Sequence, residues 1–181
     1  MKFDPSIVQA RYQSPLGSII IAATDQGLAG LWFEGQRHFP LELLDAPEPA
    51  PAQRARWPSD PEHPVLKQVC QQLGEYFGGQ RSHFEVPLDL AHGTAFQQSV
   101  WQALLAIPQG KTASYSEVSA RIGKPAAVRA VGAAIGRNPV SILVPCHRVI
   151  GADGSLTGYA GGLDRKIALL KLEGTQPEHR L

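Results

Sequence analysis

The sequence predicts an α/β chain in two parts: a small antiparallel sheet with one helix over residues 1–90, then a mostly helical part over residues 91–181. Three observations carry this. Short runs rich in β-branched and aromatic residues crowd the first 34 positions, one strongly amphipathic pattern follows a proline-rich stretch, and two helical patterns share a Gly-containing turn in the second half.

Ile7 to Tyr12, Ser18 to Thr24 and Leu28 to Glu34 are separated by the turn signals SPLG and DQG, so they read as an antiparallel meander. Residues 45–64 hold six prolines in twenty positions, which excludes regular pairing and predicts a surface loop. Val65, Leu66, Val69, Leu73, Tyr76 and Phe77 then recur at helical spacing, and Gly78-Gly79 ends the run. Cys70 lies on this helix beside Leu66 and Leu73 and reads as a core thiol. Arg81 to Leu88 reads as a further strand, and residues 87–93 as a linker.

Thr94 and Gln97 fit a capping box at the start of a helix that runs through Val100, Trp101, Leu104 and Leu105 and stops at Pro108. Two helical patterns follow, one from near Ser116 to Gly123 and one from Pro125 to Gly136, which together make a helix-turn-helix. Ala126, Ala127, Ala130, Gly132, Ala133 and Ala134 let the second helix approach another surface closely. That surface is either a packed neighbour or a nucleic-acid groove, and Arg129 favours the groove.

Hydrophobic residues make up 43% of the chain and charged residues 18%, the balance of a folded protein with a core rather than a disordered one. No basic start with a long apolar core opens the chain, and no segment reaches the roughly 18 apolar residues of a membrane span. The expectation is therefore a soluble cytoplasmic protein in a reducing compartment with no membrane partner. Net charge is +1, yet residues 1–88 carry seven Lys/Arg against ten Asp/Glu and residues 89–181 ten against six, so a polyanion would meet the second half.

The chemistry concentrates at Val144-Pro145-Cys146-His147-Arg148-Val149-Ile150. A zinc site is not expected, because Cys70 is 76 residues away and there is no CxxC. His147 and Arg148 are expected to raise the thiolate fraction of Cys146, although side chains adjacent in an extended segment point to opposite faces. Asp153, Asp164 and Glu173 are all candidates to orient the imidazole, and spacing does not choose among them. A thiol hydrolase using Cys146 and His147 is the enzymatic rival; no Gly-rich oxyanion motif flanks the cysteine.

Asn138-Pro139, the ILVPCHRVI run at 142–150, GYAGGL at 158–163 and LLKLEG at 169–174 together resemble the O6-alkylguanine-DNA alkyltransferase family, and Ser114-Tyr115 and Arg129 to Ala133 match it as well. The likeness is specific over residues 92–175 and looser in the SPLG and GLAGLWF stretches. It implies a ribonuclease-H-like small antiparallel sheet with a helix, followed by a winged helix-turn-helix-like domain. The implied activity is direct DNA repair, with the alkyl group of O6-alkylguanine, and of O4-alkylthymine, moved irreversibly to cysteine.

Carried over, Cys146 is the nucleophile, His147 its base through a water, Glu173 the group that orients His147, and Asn138 the brace of the preceding bend. Tyr115, Val149, Tyr159 and Ala160 form the substrate pocket, with Tyr115 directed at guanine N3 and the target phosphate. Arg129 fills the space of the extruded base, and Ala127, Ala130, Gly132 and Arg137 meet the minor groove of double-stranded DNA. Base extrusion follows because O6 cannot reach a pocketed thiol from inside a stacked duplex.

Animal members often carry Ser where this chain has Ala160, so a backbone N–H takes over that contact. Animal members hold a structural zinc through N-terminal Cys and His ligands, whereas Cys70 is the one cysteine of the first half here, and 181 residues leave no room for a cysteine-rich sensor domain. The expectation is a monomer without metal or cofactor. Lesion-recognition relatives that have lost the cysteine, commonly to Trp, are the non-enzymatic alternative; this chain keeps Cys146. Asp164 is expected to cap the helix after GYAGGL.

Overall fold

The computed structural model describes residues 2–43 and 56–176. Residues 45–55 of the proline-rich stretch lie outside them; Trp57 and Pro58 are irregular, Ser59 bridges Gln9, and Pro64 already opens a helix. The fold is mixed α/β.

Strands β1 (Val8–Ser14), β2 (Gly17–Thr24) and β3 (Gly27–Phe33) form an antiparallel sheet in the order β1-β2-β3, with Val8 opposite Ala23 and Ile19 opposite Phe33. β3 is buried throughout because both of its faces are covered. One face receives helix α1 (Pro64–Phe77), which buries Leu66, Val69, Leu73 and Tyr76. The other holds Ile7, Ala22, Ala29 and Trp32 under Phe3, Phe39 and Trp57.

The expected strand at 81–88 does not form. Among the described residues its one ladder contact is the bridge between Leu28 and Leu88, with Leu28 N–H donating to the Pro87 carbonyl at 2.8 Å. Side chains take over where the ladder stops. The buried Gln72 of α1 accepts from Glu85 N–H at 2.8 Å through Oε1 and donates to the Glu85 carbonyl at 3.3 Å, so these backbone groups are satisfied without a strand partner. The rest of the β3 edge is used by the second half: Leu31 N–H donates to Pro139 O at 2.8 Å and Ser141 N–H to Leu31 O at 3.0 Å. That exchange fixes the segment before Cys146 against the sheet.

Helix α2 (Ala95–Leu105) carries the expected Thr94/Gln97 capping box and, through Trp101 Nε1–H, donates to Ala134 O at 2.9 Å. Strand β4 (Ala113–Ser114) leads into α3 (Tyr115–Arg121), whose capping box pairs Ser114 with Glu117. The second helix of the pair, α4 (Val128–Gly136), begins three residues beyond the expected Pro125. Lys124 O is already taken by Ala127 N–H at 2.9 Å and by Ser119 Oγ at 2.5 Å, so residues 124–127 close a turn before the helix starts. Strand β5 (Val149–Ile150) pairs in parallel with β4, and α5 (Leu163–Leu172) closes the fold. Gly162, at φ 93°, is the N-cap of α5; Asp164 sits inside the first turn, where it complements the helix dipole rather than capping it. No helix among the described residues is long and apolar enough to cross a membrane.

Candidate active site

Cys146, His147 and Arg148 form one turn of 3-10 helix after Pro145. All three are buried. The turn is preceded by a constrained bend: Ile142, a β-branched residue, adopts φ 72°, a conformation that costs on the order of 1–3 kcal/mol. Asn138 spans that bend. Its Nδ2 donates to Val144 O at 2.8 Å, and its Oδ1 accepts from Val140 N–H at 3.0 Å, both in the interior.

Of the three candidate carboxylates, Glu173 is the one that meets His147. At the C-terminal end of α5, its Oε1 accepts from His147 Nε2 at 2.8 Å, and Arg148 grips both oxygens, Nε to Oε2 and Nη2 to Oε1, each at 2.9 Å. Arg148 Nη1 also donates to Ile107 O at 2.6 Å. Burial pushes the Glu173 carboxyl up, but donation from His147 and Arg148 outweighs it and holds the group at about 2. The carboxylate is therefore ionised. Burial holds His147 below the ordinary imidazole range despite Glu173, so the ring is neutral. The network assigns its proton to Nε2, which leaves Nδ1 as a lone-pair acceptor; that buried atom has no hydrogen-bond partner among the described residues.

The expectation that Arg148 raises the thiolate fraction is corrected. Its guanidinium is committed to Glu173 and Ile107, and burial pushes the Cys146 thiol up. Opposing that push are Asn138, the Lys166 ammonium and the N–H groups of Cys146 and His147. Lys166 was not singled out by sequence. It is 1% exposed, donates to Val149 O at 2.6 Å and Thr157 O at 3.2 Å, and burial lowers it to about 8. Its place at the fourth position of α5, four residues after Gly162 and facing the core, was the available signal.

The 157–162 loop walls one side. Tyr115 Oη and Thr157 Oγ1 are 2.7 Å apart, Arg37 N–H donates to Ala160 O at 3.1 Å, and Arg165 joins Leu16 O at 2.9 Å to Gly161 O at 3.0 Å while stacking on Phe33. A Cβ at Gly161 would fall 2.7 Å from the Tyr159 ring and 3.1 Å from that of Phe33, so only glycine allows this approach. Burial pushes the Tyr159 phenol well above its usual range, and the neighbouring Cys146 adds to that push. The Ala160 N–H makes no hydrogen bond among the described residues. Val149 is fully buried in β5, so it backs the site from the core.

The remaining expected residues lie on the helix-turn-helix. Val131, Ala134 and Ile135 of α4 face the core, which leaves Arg129 and Ala130 exposed, Ala127 and Gly132 half-buried, and Arg137 exposed just past the helix end. The small residues thus serve both alternatives: Ala134 packs against Trp101, while Ala130 and Ala133 face solvent. Gly132 lies against the Tyr115 ring, where an added Cβ would be 3.7 Å away.

Residues 7–90 match the family described as 6-O-methylguanine DNA methyltransferase, ribonuclease-like domain, and residues 95–175 match its DNA binding domain. The chain belongs to the 6-O-methylguanine DNA methyltransferase family. Its N-terminal half has the family's ribonuclease-like fold and its C-terminal half the DNA-binding fold. Among its relatives, the methylated-DNA–protein-cysteine methyltransferase of Mycobacterium leprae is 46% identical over 163 residues, 90% of each chain. The inducible enzyme of that name from Bacillus subtilis is 49% identical over 149 residues, 81% of this chain and 80% of its own. The crystal structure of Mycobacterium tuberculosis OGT in complex with DNA superposes with a TM-score of 0.79 at 44% identity, covering 94% of both chains.

Proposed function

We propose that this protein repairs double-stranded DNA by moving the alkyl group of O6-alkylguanine, and of O4-alkylthymine, to Cys146 Sγ, once per molecule. The observation that carries this reading is the buried Cys146–His147–Glu173 arrangement, in which an ionised carboxylate fixes the imidazole and leaves Nδ1 as its bare acceptor. His147 Nδ1 takes the thiol proton through one water. The thiolate attacks the alkyl carbon, an S–C bond forms as the C–O bond breaks and leaves its electron pair on the base, and the proton held by His147 is returned through water to the departing base, so that base and imidazole both end neutral. A thioether is a very poor leaving group at neutral pH, so the protein stops after one transfer.

Asn138 braces the turn, Tyr115 directs its hydroxyl toward guanine N3, and the Ala160 N–H faces O6. Tyr159 and Val149 bound the pocket. α4 enters the minor groove through Ala127, Ala130 and Gly132, with Arg137 beside them at the DNA, and Arg129 fills the gap left by the extruded base. Residues 1–90 scaffold the site and 91–181 carry DNA binding and transfer. The protein acts as a monomer without metal or cofactor, in the cytoplasm and on the nucleoid if the cell is prokaryotic.

Incubation with duplex DNA containing O6-methylguanine is expected to add one methyl group to the peptide bearing Cys146, read by mass spectrometry. A Cys146→Ala protein should retain lesion binding and lose transfer. An unmodified Cys146 after exposure to the lesion would remove the basis of this reading.

A further inference from the structure

Glu173 receives one donor that neither the reaction scheme nor the sequence analysis employs. Tyr76, in the last turn of α1, is 2% exposed and donates its hydroxyl to Glu173 Oε1 at 2.7 Å across 97 residues of sequence. The ring is held independently of that bond, against Phe77 at 5.3 Å and Phe84 at 5.3 Å between centroids. Glu173 Oε1 thus collects Tyr76, His147 Nε2 and Arg148 Nη2, while Oε2 takes Arg148 Nε.

We propose that Tyr76 is a positioning residue for alkyl transfer: the N-terminal ribonuclease-like half supplies a hydroxyl that locks the Glu173 carboxylate and, through it, sets the orientation and basicity of His147. The inference rests on the reading of Cys146 and His147 given above. Its physical basis is that a carboxylate pinned by three directional donors on one oxygen and a fourth on the other cannot rotate about its side chain without breaking a charge-assisted hydrogen bond. Withdrawal of electron density by the Tyr76 hydroxyl also weakens Glu173 as an acceptor for His147 Nε2–H, which disfavours the imidazolium. The charged and titratable groups facing His147 are Glu173, Arg148 and Lys166, and Tyr76 reaches it only through Glu173. The N-terminal half thus steadies the imidazole that moves the proton, through a residue that reaches it only by way of Glu173.

Tyr76→Phe keeps the ring and deletes the hydroxyl. In single-turnover transfer from O6-methylguanine duplex, the variant should react about tenfold more slowly at pH 7. The acid limb of its pH–rate profile should lie at higher pH than that of wild type, with unchanged DNA affinity and an unchanged fraction of protein able to react. A merely structural role would lower the reactive fraction or Tm while surviving molecules kept the wild-type rate and limb; that result, or an unaltered rate and limb, overturns the proposal. A second readout needs no transfer. In ¹⁵N NMR the His147 ring should carry its proton on Nε2 in wild type and titrate at higher pH in the variant, and coincident titrations would also overturn it. Failure of the wild type to take up the methyl group would count against the functional reading alone, because the imidazole titration would still decide the role of Tyr76.

Discussion

Glu173 links stability to pH. Its folded-state value of about 2 lies below the ordinary 4.5, so it binds its proton more weakly in the native state than in the unfolded chain. The stabilisation is present above the unfolded value and is lost as pH falls from about 4.5 toward 2, with a total on the order of 3 kcal/mol. His147 acts in the same direction: burial keeps it neutral when folded, so an unfolded chain gains a proton below about 6.5 that the native protein does not. Thermal unfolding followed from pH 7 to pH 3 should show Tm falling steadily, beginning below about pH 6.5 and steepening below 4.5. At the same scale, Asn138→Ala leaves the buried Val140 N–H unpaired beside the strained Ile142 and removes one of the two donors to the Val144 carbonyl, which keeps Cys146 N–H at 2.8 Å, at a cost of about 1–3 kcal/mol. Denaturant unfolding should show that loss with little change in m-value.

Secondary-structure elements were legible where a local rule decides them. The β1–β3 meander follows from β-branched and aromatic runs set between turn signals, α1 from helical periodicity, and the Thr94 capping box from four residues of sequence. The failures have long-range causes. Residues 81–88 look like a strand, but the β3 edge they would extend is shared with Pro139–Ser141 and their backbone is claimed by Gln72. Pro125 favours a helix start locally, yet Lys124 O is drawn into a turn by Ser119. Within the site, Cys146 and His147 could be recognised from their own motif. The choice of Glu173 over Asp153 and Asp164 came from family resemblance, and Tyr76 and Lys166 join only through the packing of α1 and α5. On α4, Arg129 is exposed and its neighbours Val128 and Ala130 leave it no buried role. Arg129→Ala should therefore slow transfer from duplex lesions by tenfold or more while reaction with the free alkylated base stays near wild type; equal losses on both substrates would place its effect in the pocket instead.

At the scale of the whole molecule, the two halves are joined at the chemistry. The β3 edge holds the Pro139–Ser141 segment, Arg37 and Leu16 hold the 157–162 loop, and α1 reaches Glu173. Around the thiol, the fold keeps the resting Cys146 protonated by burial and sets a neutral imidazole beside it. Under the proposed reaction the thioether formed on Cys146 is too poor a leaving group at neutral pH to free the thiol again. The decisive measurement is the number of alkyl groups moved when alkylated duplex is supplied in large excess. Transfer should rise to one group per protein molecule, all of it on Cys146, and then cease; continued repair beyond that stoichiometry, or alkylation at any other residue, would contradict the account.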